Sequence, residues 1–133
     1  MDTLFALIMV HTDFMDHIMV SSRRLKRAAM RGDMDAIEFE SNNRERLINI
    51  IEQIQFTIEE RLNNFSTQES IMELTPVLNA WANDLGLWYE RVGALDEETT
   101  QGLEELKEET QREIAVVYKN KEGLKGYNLN SLK

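Results

Sequence analysis

Cysteine is absent from the chain, proline occurs once, at Pro76, and histidine twice, at His11 and His17. Without cysteine there is no disulfide, no thiol nucleophile and no thiolate metal site, and a reducing compartment is compatible with the chain. One proline and six glycines in 133 residues leave little to interrupt long helices. The two histidines are six positions apart, so on a helix they point to different faces and do not share a metal by themselves. Neither follows a glutamate at the Glu-x-x-His spacing of a ferritin-like site. Both read as structural or solvated groups. A Gly-rich phosphate loop, a paired His–Glu motif and a nucleophile constellation are missing too. The expectation is a protein that is not an enzyme and holds no cofactor and no metal.

What is present is apolar and charged in helical proportion. The chain is 42% hydrophobic and 29% charged, which suits one all-α domain with a single sizeable core. Its net charge of −9 disfavours nonspecific nucleic-acid binding. The charge is uneven. Residues 1–32 carry a net of +2 through Arg23, Arg24, Lys26, Arg27 and Arg31, and residues 33–64 a net of −5. The basic run falls at the end of the first helix, where cations complement the helix dipole. The opening stretch MDTLFALIMV is apolar, but no basic segment precedes it and Asp13, Asp16 and His17 soon interrupt it. It reads as a buried helix start in a cytoplasmic protein, with no membrane insertion expected.

The organising stretch is Ala28 to Leu62. A first helix over about 2–31 places Leu4, Ile8, His11, Met15, Ile18, Ser22, Leu25 and Ala29 on one face by spacings of four and three. Gly32 suits the left-handed position after the helix, and Asp33 suits the N-cap of the next. The second helix, about 33–64, carries a seam of Leu47, Ile51, Ile54, Ile58, Leu62 and Phe65. With Ile48 and Ile50 its apolar arc spans roughly 160°, wider than one neighbour covers. Phe56 lies nearly opposite that seam. Simple exposure and contact with another helix or a partner are both open for it.

Ser66-Thr67-Gln68-Glu69 reads as a capping box that opens a third helix, and Thr75-Pro76 as a second start signal, so a kink or a break is expected near Pro76. Ile71, Leu74, Leu78, Trp81, Leu85, Trp88 and Val92 alternate by three and four. Gly93 is read as the end of this helix and Asp96 as the cap of a fourth. The fourth is acidic, with a thin stripe of Leu103, Leu106, Ile114 and Val117, and is expected to dock weakly. The architecture is then an antiparallel bundle of about four helices in one domain over 1–125. Residues 126–133 are expected to form a mobile tail.

Ala28-Ala29-Met30-Arg31-Gly32-Asp33-Met34-Asp35-Ala36-Ile37, followed by Arg44-Glu45-Arg46-Leu47, resembles the helical hairpin of FliT-like flagellar export chaperones. The FlgN-like chaperones are similar in size and helicity. The resemblance implies a non-catalytic cytoplasmic protein of type III export. Its partners would be a filament-cap or hook-filament junction protein, bound through a terminal helix, and the export apparatus. It also implies a C-terminal helix that covers the client surface. The apolar width of helices 2 and 3 singles out Ile50, Ile54, Phe56 and Ile58 as partner-binding residues. From helix 3 come Leu78, Trp81, Leu85 and Trp88. The alternative is a structural or adaptor bundle that self-associates through helix 3; monomer and homodimer both remain open.

Overall fold

The computed structural model describes the backbone of residues 2–64 and 68–131, with side chains described for 3–64 and 72–121. It is all-helical: α1 is Asp2–Arg31, α2 Met34–Asn63 and α3 Gln68–Ser131, and no strand occurs among the described residues. The expected stripe of α1 is buried throughout, from Leu4, Ile8, His11 and Met15 to Ile18, Ser22, Leu25 and Ala29.

The turn between α1 and α2 forms for reasons local to it. Gly32 adopts φ 65°, which a residue with a Cβ reaches only under strain. Its amide donates to the Ala29 carbonyl at 3.2 Å, and the Asp33 amide donates to the Ala28 carbonyl at 3.1 Å. This pair of bonds closes the last turn of α1. The Asp33 carboxylate then accepts from the Ala36 amide at 3.1 Å and caps α2.

Helix α3 corrects the four-helix reading. The segments read as helices 3 and 4 are one helix of 64 residues, which at 1.5 Å per residue is roughly 96 Å long. Gly93 does not end it. Gly32 is the only glycine with positive φ among the described residues, and a methyl built on Gly93 would meet nothing within 4 Å. Asp96 does not cap a new helix either, because its carboxylate accepts from Arg44 at 2.7 Å. Pro76 lies inside α3, so its start signal is overridden by the helix around it. Part of the proposed capping box, Ser66 and Thr67, and the seam residue Phe65 lie outside the described residues, as does the Ile71 side chain. Of the stretch read as a tail, the backbone continues α3 to Ser131, and its side chains lie outside the described residues.

Helix α1 is the middle of the arrangement. Both other helices pack on it, α3 running parallel to α1 and antiparallel to α2. Among the described residues the Cα atoms of α2 and α3 nowhere approach within 8 Å. At one end Leu4, Ile8, Ile58 and Leu74 form a core cluster, and further along Met15, Ile18 and Ile51 form another. Burial of each such side chain contributes roughly 1.5–3 kcal/mol. Near the turn, small residues bring α1 and α3 close: a methyl on Gly102 would lie 3.5 Å from the Ala29 Cβ. Leu106 packs over Gly32. From residue 107 to 121 every side chain of α3 is exposed, because the hairpin has ended and the helix has not.

The apolar character of α1 runs further than its first ten residues. Within Thr3–Arg31 an 18-residue window reaches a mean hydropathy of 1.3, long and apolar enough to cross a membrane by composition alone. In the fold this same helix is the one on which α2 and α3 both pack.

Candidate helix-binding groove

The separation of α2 and α3 leaves a groove whose floor is α1. A cavity of about 280 Å³ lies in it, walled by Ile48 and Ile51 of α2 and by Leu85, Trp88 and Val92 of α3. Arg44, Glu52, Gln55, Tyr89 and Asp96 form its polar rim, and His11 lines it from α1. The Arg44–Asp96 pair spans the groove at one end and is the only α2–α3 ion pair among the described residues. Trp88 also borders a second hollow, of about 440 Å³, between α1 and the opposite side of α3.

His11 is fully buried, and two helices fix it. The Trp81 indole Nε1–H donates to His11 Nδ1 at 3.1 Å, with the rings edge to face at a centroid distance of 5.1 Å. An indole nitrogen only donates, so Nδ1 is unprotonated and the neutral ring carries its proton on Nε2. That Nε2 is buried with no hydrogen-bond partner, as is Arg44 Nε. Burial lowers the His11 pKa below its ordinary value, and the Gln55 side chain partly offsets this. Trp88 is held in turn, its indole N–H donating to the Met15 carbonyl at 2.7 Å.

Of the residues singled out from sequence, Leu85 and Trp88 line the groove. Ile58 is in the core with no exposure, and Ile54, Leu78 and Trp81 are partly buried against the same cluster. Ile50 is exposed and stands roughly 160° around α2 from Ile48, on the far edge of the helix. Phe56, 63% exposed, lies in a shallow hollow with Asn49, Glu52, Gln53 and Thr57. These two therefore do not join the groove. Sequence reasoning missed Arg44, Gln55 and Asp96 as rim residues and His11 as floor. The available signal was a histidine in the middle of an otherwise apolar stripe.

The expected covering of this surface by the C-terminal helix is not seen among the described residues. Residues 96–106 follow the end of α1 through Thr99, Gly102 and Leu106, and residues 107–121 continue past the turn instead of folding over the groove. Continuity of α3 through Gly93 is the cause. Among the described residues no three His, Asp or Glu side chains gather as a metal site.

The chain matches no protein-family model, no curated protein and no solved structure. Its functional reading therefore rests on the groove and on the residues that frame it. The lining has the chemistry of a docking surface: large apolar walls, a polar rim and two buried donors, with no nucleophile beside a base.

Proposed function

We propose that this protein is a non-catalytic cytoplasmic binder of an amphipathic helix, acting as a flagellar type III export chaperone. The observation that carries the reading is the cavity of about 280 Å³ between α2 and α3, walled by the buried Ile51 and Val92 and the half-buried Ile48, Leu85 and Trp88. A client helix laid there completes a four-helix bundle by the helix-in-groove mode. The hairpin residues that resemble the FliT-like chaperones support the reading, since Gly32 and Asp33 make the turn and Arg44 clasps Asp96 at the groove end. The client class is a filament-cap or hook-filament junction protein, with export apparatus components as receivers. The weakly held far half of α3 is the regulatory element, and it reaches the groove only by breaking near Gly93.

The test mixes the full chain with terminal-helix peptides of cap and junction proteins. Trp81 and Trp88 are the chain's only tryptophans, and Trp88 lines the groove. The expected result is a one-to-one complex with blue-shifted emission, lost in Leu85→Glu. Unchanged emission and no complex with any peptide would overturn the reading.

One observation favours a second reading, a self-associating adaptor. Ile114 and Val117 are 63% and 64% exposed on α3, on the face that is buried further up the same helix. Light scattering that finds a stable dimer, dispersed by Ile114→Glu without loss of helicity, selects this reading.

A further inference from the structure

We propose that the bare end of α3 docks on a second copy of this chain, antiparallel in the hollow between α1 and α3. The inference rests on the self-association reading and names its seat, and it leaves the α2–α3 groove open to a client. The hollow, of about 440 Å³, is floored by the buried Met15 and Met19 and the half-buried Trp88. Val20 and Leu87 edge it, 42% and 53% exposed. Its charges are ordered. Asp16 precedes Arg23 by seven positions on α1, and Asp84 precedes Arg91 by seven on α3. The two helices run parallel, so both acids lie towards one end and both bases towards the other. All four are exposed, and none belongs to an ion pair among the described residues.

The bare end carries the matching order. Val116 and Val117 are 57% and 64% exposed, Glu109 and Glu113 precede them, and Lys119 and Lys121 follow. These four charges also stand outside the ion pairs among the described residues, whereas Glu108 is paired with Arg112. At ~100° per residue Glu109, Glu113, Val116 and Val117 share a sector of roughly 100°, and the two lysines spread to either side of it. Laid antiparallel, this face sets its glutamates on Arg23 and Arg91, its valines on Val20 and Leu87, and its lysines on Asp16 and Asp84. Laid parallel, it sets like charge on like, which is repulsive. The receiving wall and the docking end belong to the same helix, so the exchange is reciprocal and closes as a two-fold dimer. Each copy's α1 then covers part of the face that the other copy's hairpin is too short to reach.

The chain has no cysteine, so introduced thiols report this geometry without background. Leu87 and Val117 lie roughly 45 Å apart along one helix and cannot be bridged within a chain. Leu87→Cys combined with Val117→Cys is expected to give a covalent dimer under mild oxidation, and neither substitution alone is. Light scattering of the full native chain is expected to find twice the chain mass. Arg91→Glu, at an exposed site, is expected to weaken the dimer on the order of tenfold, since each dimer loses two ion pairs and gains two repulsions. Adding Glu113→Arg to that variant is expected to restore it. A stable dimer that resists Arg91→Glu, or that cross-links through Val117→Cys alone, overturns the inference and leaves self-association by another face. A chain that stays monomeric at its highest soluble concentration overturns the inference and the self-association reading together.

Discussion

The two halves of α3 carry one stripe, and only one of them is covered. Leu74, Trp81, Trp88, Val92, Thr99 and Leu106 are followed at helical spacing by Thr110, Ile114 and Val117, all within a sector of roughly 80° at ~100° per residue. In the first half Leu74 is 1% and Val92 7% exposed; in the second Ile114 and Val117 stand bare. The difference lies in the neighbours and not in the stripe. The hairpin arms have 30 residues each, roughly 45 Å of helix, against 64 residues in α3. Periodicity marks a face that wants cover; only the lengths of the packed elements decide whether the chain supplies it.

The largest effect separates the halves directly. Leu74→Ala, in the cluster with Leu4, Ile8 and Ile58, should cost roughly 2–5 kcal/mol. Ile114→Ala should stay within about 0.5 kcal/mol, as for an exposed site. Urea unfolding at low protein concentration measures both. A comparable cost at Ile114 means that the far half is buried in solution, and the comparison breaks.

Next in size is Gly32→Ala, which should destabilise by about 1–2 kcal/mol because φ 65° disfavours any Cβ. The added methyl also meets the Leu106 side chain at 3.2 Å, the last residue of the covered half to touch the hairpin. Gly32→Ala combined with Leu106→Ala relieves that contact but not the backbone strain. If the pair restores full stability, the left-handed turn was not the source of the loss.

How much of this was legible follows the reach of each interaction. The buried face of α1 and the Gly32–Asp33 turn depend on residues within one or two helical turns, and both stand in the sequence as read. Asp96 was taken for a cap because its true partner, Arg44, is 52 positions away. His11 is decided by Trp81, 70 positions away, so its spare Nε2 donor was invisible to local pattern. Gly93 was overread. Glycine inside a helix costs only about 1 kcal/mol, which propagation and packing on either side outweigh. Ile50 belongs to an arc read as wide, whose width did not say which edge of α2 faces α3, while Phe56, read as lying nearly opposite that seam, stays exposed.

The continuity of the two halves is itself testable at Gly93. In an uninterrupted helix with open space around that position, Gly93→Ala should stabilise the chain by about 1 kcal/mol and raise its helicity. Thermal unfolding followed by circular dichroism reads both. A loss of stability would mean that α3 divides there after all, into the two helices first expected.

The smallest effect concerns pH, and it belongs to the covered half alone. Burial disfavours the charged His11 ring, and Trp81 donates to the nitrogen that a proton would occupy, so its folded pKa lies below the ordinary 6.5. The unfolded chain therefore takes up this proton first as pH falls. The stability contributed by the neutral ring is complete above pH 6.5 and is lost between there and the lower folded value. Glu52, Arg44, Asp96 and Tyr89 share the groove with it. Were Glu52 to dominate, the shift would have the opposite sign and acid would stabilise. Urea midpoints for the native chain and His11→Gln isolate the contribution: the native chain should lose more stability from pH 7.5 to 5.5. Parallel loss in both would show that His11 is not the titrating group, and a gain in the native chain would place the ring beside an uncompensated carboxylate.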